Sequence, residues 1–195
     1  GDYFKGLLKK ELKIAYKPQR VELIIELYKG HTVKELLNKI NEAAVKNMLE
    51  ALDLQSIENR KIEELSGGEL QRLAIVATAA KKADVYYFDE PSSFLDITHR
   101  IKAAKLIRSL AENASVIVVE HDLATLDYIS DEIQIVYGEQ ACYGIFSQSK
   151  SVRRGINEYM EGLLPEENII FRQYPIRFSE RPADRFVSKN ILIEF

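Results

Sequence analysis

Apolar and polar positions along the chain separate helices from strands by their period. From His31 to Leu52 the residues Val33, Leu36, Leu37, Ile40, Ala44 and Met48 recur at helical spacing and predict one helix. Thr32 stands at its cap with Glu35 three residues on, the pattern of a capping box. Val85–Phe88 and Val116–Val119 are unbroken apolar runs, which predict parallel strands buried on both faces. Between them Ile97–Ala111 carries Ile101, Ala104, Ile107 and Ala111 along one side, giving a strand–helix–strand unit. A further helix opens at Gly68 and continues through Leu73–Ala80, and a short one covers Asp122–Ile129.

Weaker signals fill the rest. Phe4–Leu12 reads as a short helix, and Ile14–Gln19 as extended, because Pro18 disfavours a helical predecessor. Leu54–Glu64 is a small helical piece. Glu132–Tyr137 and Ala141–Ser147 flank Gly138 as an antiparallel pair, and Val152–Leu164 is helical up to Pro165. The stretch Ile169–Phe195 reads as a linker. The class is α/β, yet only two strong strands are visible where a parallel sheet needs a central set. The expectation is an incomplete domain, cut at Gly1, over residues 1–164, with residues 165–195 as an extension.

The 195 residues are 46% apolar, enough for a real core, and the formal charge of −3 gives no bulk reason to expect nucleic acid. Locally, Lys5, Lys9, Lys10, Lys13, Lys17 and Arg20 face only Asp2 and Glu11. That is either a phosphate-facing patch or a solvated helix face. The single Cys142 excludes an intrachain disulfide and reads as a packing residue. His31, His99 and His121 have no close Cys or His neighbours, which argues against a structural metal site. No apolar run approaches the ~20 residues a membrane helix needs, and no signal peptide is visible, so no membrane partner and a cytoplasmic location are expected.

The chemistry sits in three strings. Ser66-Gly67-Gly68-Glu69, inside Leu65–Arg72 (LSGGELQR), leads into a helix whose free N–H groups can meet an anion. Ser66 adds a hydroxyl, and Glu69 can close a capping box on it. Asp89-Glu90 ends the first apolar strand, where carboxylates project into the ligand crevice of a parallel sheet. Asp89 suits a magnesium ion and Glu90 suits a base for an attacking water. His121 ends the second strand on the same edge and can reach a phosphate and that water. Upstream, Gln19 can ligate magnesium through its amide oxygen. Asp96 can cap the helix after it, mark a loop that meets a second domain, or do both. Missing from the chain is G-x-x-x-x-G-K-[ST], the loop that cradles nucleotide phosphates.

These strings resemble the nucleotide-binding domain of ABC ATPases (a P-loop NTPase fold), with LSGGELQR as the signature of a helical subdomain and VYYFDE as the acidic strand. The resemblance implies Gln19 as the Q-loop residue, Asp89 as a magnesium site, Glu90 as the catalytic carboxylate, Asp96 as the D-loop residue and His121 as the switch histidine. In that family two cassettes close head to tail on two ATP molecules. Ser66, Gly67, Gly68 and Glu69 would then serve ATP held by the partner cassette. YKPQ, FDEPSSFLD, VVEHDLATLDYISD, IVYG and YGIFSQSKSVRRGINEYMEGLLPEEN are similar to the first cassette of the ribosome-recycling, or RNase L inhibitor, branch of ABC proteins over Lys5–Glu180. Residues 181–195 resemble its hinge.

That branch implies a cytoplasmic twin-cassette ATPase of archaea and eukaryotes that splits ribosomes. Its partners would be the second cassette, the small ribosomal subunit, release or splitting factors and, through the lysine-rich start, ribosomal RNA. Its two [4Fe-4S] clusters belong to a cysteine-rich domain that this chain does not contain. Without the phosphate loop the chain alone is expected to be inactive. The rival readings are a transporter-associated cassette and a non-catalytic interaction module. A DNA-repair cassette ATPase fits less well, because no long coiled-coil arm interrupts the domain.

Overall fold

The computed structural model describes residues 12–38, 42–139 and 142–177. The chain divides into two compact units, Gly1–Asp131 and Glu132–Phe195.

In the first unit, β1 (Ile14–Lys17), β2 (Val85–Asp89) and β3 (Ser115–Val119) form a parallel sheet in that order, so β2 is central. The extended stretch before Pro18 is therefore a full strand, a third beside the two strong ones. Its register sets Lys17 against Phe88 and Tyr16 against Tyr87. The helices are α1 (Leu23–Tyr28), α2 (Val33–Leu37), α3 (Glu42–Ala51), α4 (Gly67–Ala79), α5 (Ile97–Leu110) and α6 (Leu123–Ile129). The expected His31–Leu52 helix is assigned as α2 and α3, and residues 39–41 between them lie outside the described set. So do Ile40 and the side chain of Ala44, two members of its stripe, and nearly all of the expected Phe4–Leu12 helix. Thr32 caps α2 with the reciprocal Glu35 bond. Leu54–Glu64 is not one helix but two short 3-10 turns, Gln55–Ile57 and Ile62–Glu64.

α4 and α5 pack on one face of the sheet. α4 is buried nearly all round, through Leu70, Leu73, Ala74, Ile75 and Val76, so it is the centre of the core rather than a surface helix. Phe88, Ile107, Leu52 and Leu54 complete that core with no exposed surface. The expectation of strands buried on both faces fails. On the far face Ile14 is 65% exposed and Ile117 50% exposed, beside Tyr16 and Val119. The reason is that, among the described residues, helices cover one face only.

The second unit holds two small antiparallel pairs first. β4 (Glu132–Ile133) pairs with β7 (Lys150–Ser151), and β5 (Val136–Glu139) with β6 (Tyr143–Phe146), Gly138 facing Gly144. The expected hairpin around Gly138 thus forms, but Glu132 and Ile133 belong to a different pair. α7 (Val152–Glu161) ends three residues before the expected Leu164. Gly162 takes a left-handed φ of 79°, which ends the helix without the Cβ penalty other residues meet. Leu163–Leu164 becomes β8 and pairs with β9 (Ile169–Ile170), so the start of the expected linker folds back as a strand. Lys150 is buried among Glu158, Glu166 and Glu167, at 3.3, 2.9 and 3.5 Å.

Candidate functional site

The carboxyl ends of β1, β2 and β3 lie side by side, because three parallel strands in register must end on one edge. That edge gathers Gln19, Asp89, Glu90 and His121. Alternation along β2 sends Asp89 to the far face with Tyr87, and β1 sends Tyr16 there too. The Tyr16 hydroxyl donates to Asp89 Oδ2 at 3.4 Å. Desolvation and the Asp89 charge raise that hydroxyl, so it stays a donor. Gln19 follows Pro18 at the end of β1 and is exposed.

Glu90 leaves the strand with a left-handed φ of 45°. Its own N–H still donates to the Val119 carbonyl at 2.8 Å, tying it to β3. The Glu90 carboxylate is 26% exposed, and its Oε2 accepts from Ser93 Oγ at 3.1 Å. His121 is 74% exposed, and its Nδ1 stands 3.9 Å from Glu90 Oε1, near but beyond a hydrogen bond. Its backbone is fixed from below by Glu120, whose side chain has no exposed surface. Glu120 Oε1 accepts from the N–H groups of His121 and Asp122, and Oε2 accepts from that of Ser92. One buried carboxylate therefore holds both the His121 turn and the turn after Glu90.

The signature turn is built by a full capping box. Glu69 N–H donates to Ser66 Oγ at 3.3 Å, and Glu69 Oε2 accepts from Ser66 N–H at 2.7 Å and from its hydroxyl at 2.8 Å. Arg60 holds the other Glu69 oxygen at 3.0 Å. Burial pushes the Glu69 carboxyl up, but the Ser66 donors and Arg60 outweigh it and leave it below the ordinary carboxylate value. Gly67 and Gly68 pass under Phe94. A Cβ on Gly68 would stand 3.1 Å from the Phe94 carbonyl oxygen, which only a glycine avoids.

Asp96 caps α5. Its Oδ1 accepts from His99 N–H at 2.9 Å, and its Oδ2 lies 2.6 Å from His99 Nδ1. Asp96 thus serves as the cap, a role compatible with a loop that also meets a second domain. The structure thus forms two groups, a strand-end group (Gln19, Asp89, Glu90, His121) and a signature group (Ser66–Glu69), with the Phe94–Asp96 loop against the second.

The sequence motifs do not single out Lys17, Gln71, Glu120 or Phe94. Lys17 stands in the basic start, yet it is buried and so belongs neither to a phosphate-facing patch nor to a solvated helix face. Its Nζ donates to the Asp89 and Glu90 carbonyls at 2.7 and 3.2 Å. Burial pulls its ammonium down to about 8, against the pull of the Asp89, Glu120 and Glu90 charges. The signal was present, since strict alternation in Ile14–Lys17 puts Lys17 on the inner face with Ala15. Glu120 likewise announced itself as a carboxylate directly behind four apolar residues.

Chemically, the strand-end group offers hard oxygen donors at Asp89 and Gln19, of the kind that fits magnesium, beside the Glu90 carboxylate. Among the described residues no cluster of three or more His, Cys, Asp or Glu side chains forms a metal site by itself. A magnesium ion here would need phosphate or water oxygens to complete its shell, as this ion commonly does. No helix among the described residues is long and apolar enough to cross a membrane.

Residues 7–93 match the family described as ABC transporter. The chain is 48% identical over 195 residues to an uncharacterised ABC transporter ATP-binding protein of Methanocaldococcus jannaschii, covering all of this chain and 32% of that one. It superposes on the archaeal ribosome recycling factor aABCE1, solved with the ribosomal stalk protein aP1, with a TM-score of 0.85 and 48% identity, over 97% of this chain and 36% of that one. The solved RNase-L Inhibitor gives 0.85 and 50% identity over 92% of this chain and 35% of that one. The chain therefore spans about a third of the length of these three proteins. With the paired strand-end carboxylates, the capped signature turn and identities near one half all on one chain, it belongs to the ABC ATPases, in the group of the RNase-L Inhibitor and the archaeal ribosome recycling factor.

Proposed function

We propose that this chain is part of a twin-cassette ATPase that couples ATP binding and hydrolysis to the splitting and recycling of ribosomes. The observation that carries the ATPase part of the reading is the strand-end group, and the recycling part is supported by the likeness to the archaeal ribosome recycling factor. Asp89 and Glu90 close the central strand, and His121 stands 3.9 Å from the Glu90 carboxylate on the adjacent strand end.

In this reading Asp89 and Gln19 hold magnesium, which when bound neutralises phosphate oxygens. Glu90 takes or orients the proton of the attacking water, held in place by Ser93. His121, largely exposed, is free to turn toward a phosphate. Ser66, Gly67 and Gly68 present a hydroxyl and helix N–H groups to the phosphate of ATP on a second cassette, with Glu69 fixing the turn. Asp96 and Phe94 place the loop beside that surface. Residues 1–164 form the partial cassette, and residues 165–195 lead toward the second. The [4Fe-4S] clusters lie in a part of the protein outside this chain. The partners are that second cassette, the small ribosomal subunit and its splitting factors, in the cytoplasm. Because it carries no phosphate-cradling loop, the chain on its own does not turn over ATP.

The test is Glu90→Gln in the full-length protein. Hydrolysis should fall by about a hundredfold or more, the usual contribution of a positioned base, with Mg-ATP affinity unchanged. Equal loss of binding and turnover would remove Glu90 from that role. Failure of the active wild-type protein to split ribosomes would overturn the recycling assignment.

A further inference from the structure

Lys17 is a lysine with no exposed surface, and a buried ammonium is costly unless it is paired. Its hydrogen-bond partners are not carboxylates. They are the successive carbonyl oxygens of Asp89 and Glu90. Successive carbonyls turn toward one donor only when the chain bends sharply, and Glu90 has the left-handed φ of 45° that makes this bend. For a residue with a side chain that conformation costs about 1–2 kcal/mol. A third group converges on the same place, since Gln71 Nε2 on α4 donates to the Glu90 carbonyl at 2.7 Å. Gln71 is also without exposed surface, and its Oε1 has no hydrogen-bond partner. Neither residue is placed as packing alone would place it. An apolar side chain of similar volume would avoid both the buried charge and the orphaned oxygen.

We infer that Lys17 is a positioning residue for hydrolysis, which together with Gln71 clamps the backbone of Glu90 in its bent form and so aims the Glu90 carboxylate. The inference rests on the reading of Glu90 as the base. The clamp joins segments that the sequence keeps far apart. Lys17 directly precedes Pro18-Gln19, and Gln71 lies within LSGGELQR. One carbonyl thus receives an anchor from the strand that leads into Gln19 and another from the helix that opens at Ser66. A shift of either segment on nucleotide binding would move the Glu90 peptide through a single side chain, Lys17 or Gln71.

The experiment compares Lys17→Met, Gln71→Leu, Glu90→Gln and the double variant Lys17→Met/Glu90→Gln in the full-length ATPase, with steady-state ATP kinetics and thermal melting. Misplacing a reacting group by about 1 Å can cost 10²-fold. Lys17→Met and Gln71→Leu should therefore lower kcat by about ten- to a hundredfold, with the KM for ATP within about twofold of wild type. The double variant should be no slower than Glu90→Gln alone, because Lys17 acts through Glu90. If Glu90→Gln keeps wild-type turnover, the reading of Glu90 falls, and this inference with it. If Glu90→Gln is inactive but folded Lys17→Met keeps its kcat, only the clamp is overturned. A matching rise in KM with a lost kcat would also overturn it, as general damage to the site. Where Lys17→Met fails to fold, Gln71→Leu decides alone, since it removes one donor and the orphaned acceptor together and should fold.

Discussion

The Glu120 carboxylate accepts the N–H of Ser92 at 3.2 Å, so a residue behind β3 holds the turn that follows Glu90 on β2. The same carboxylate accepts from His121 and Asp122. Removing it takes the acceptor from three backbone donors, and each that is left unpaired away from water costs about 1–3 kcal/mol. Glu120→Ala should lower stability by at least about 2 kcal/mol and slow hydrolysis in the full-length protein. Glu120→Gln, which keeps one acceptor oxygen, should retain more of both. Chemical denaturation of the variants distinguishes the cases, and a neutral Glu120→Ala would show that water replaces the carboxylate.

Gly67 and Gly68 are adjacent but predict opposite outcomes. A Cβ on Gly67 would meet the Phe94 side chain first, at an ordinary 3.8 Å, whereas one on Gly68 would press on the Phe94 carbonyl at 3.1 Å. Alanine gains up to about 1 kcal/mol over glycine within a helix, while overpacking costs about 1–3 kcal/mol. Gly67→Ala should be neutral or slightly stabilising, and Gly68→Ala destabilising. Paired thermal melts give the order, and a reversed order would mean that the Phe94 loop yields freely.

Acid should weaken the signature turn in a particular window. The Glu69 carboxyl lies below its ordinary value: burial raises it, and the Ser66 donors and Arg60 more than compensate. A group depressed in the folded state stabilises the fold above its unfolded pKa, and that stability is lost as pH falls through the folded value. Wild-type Tm should therefore fall between about pH 5 and pH 3, and Glu69→Gln should show a shallower fall there. Asp96 and Asp122, held low first by the N–H groups of His99 and Thr125, add to the same slope. Parallel slopes for wild type and Glu69→Gln would exclude Glu69 as a contributor.

The second unit has its own electrostatic centre. Burial opposes the charge of Lys150, but its bonds to Glu166 and Glu158 raise its ammonium above the ordinary value. Glu158 is itself buried. Lys150→Met leaves that carboxylate with Arg154 as its remaining charged partner, at 2.7 Å. Removing one side of a buried pair is costly, whereas loss of a partly exposed partner is not. Lys150→Met should lower the Tm by roughly 5 °C or more, and Glu166→Gln by clearly less. Melting of both variants tests the order.

The sequence by itself determined the elements whose signals are local. Capping boxes at Thr32 and Ser66, apolar runs over Val85–Phe88 and Val116–Val119, and the order of LSGGELQR, Asp89-Glu90 and His121 all involve neighbours within a few residues. Each survives in the structure as an assigned cap, strand or strand end. Gly162 was equally local, and its left-handed geometry ended α7 where the apolar pattern ran on to Leu164. Tertiary structure alone decided what depends on distant partners. It made Ile14–Lys17 a strand by pairing it with β2, seventy-one residues away in chain order between Ile14 and Val85. Among the described residues it left one face of the sheet without a helix, and it turned Lys17 from one of six basic residues into a buried donor. The physical reason is the same throughout. Periodicity and capping report a residue's nearest neighbours, while burial, cross-strand register and the partner of a charged group are set by segments that meet only after the chain has folded.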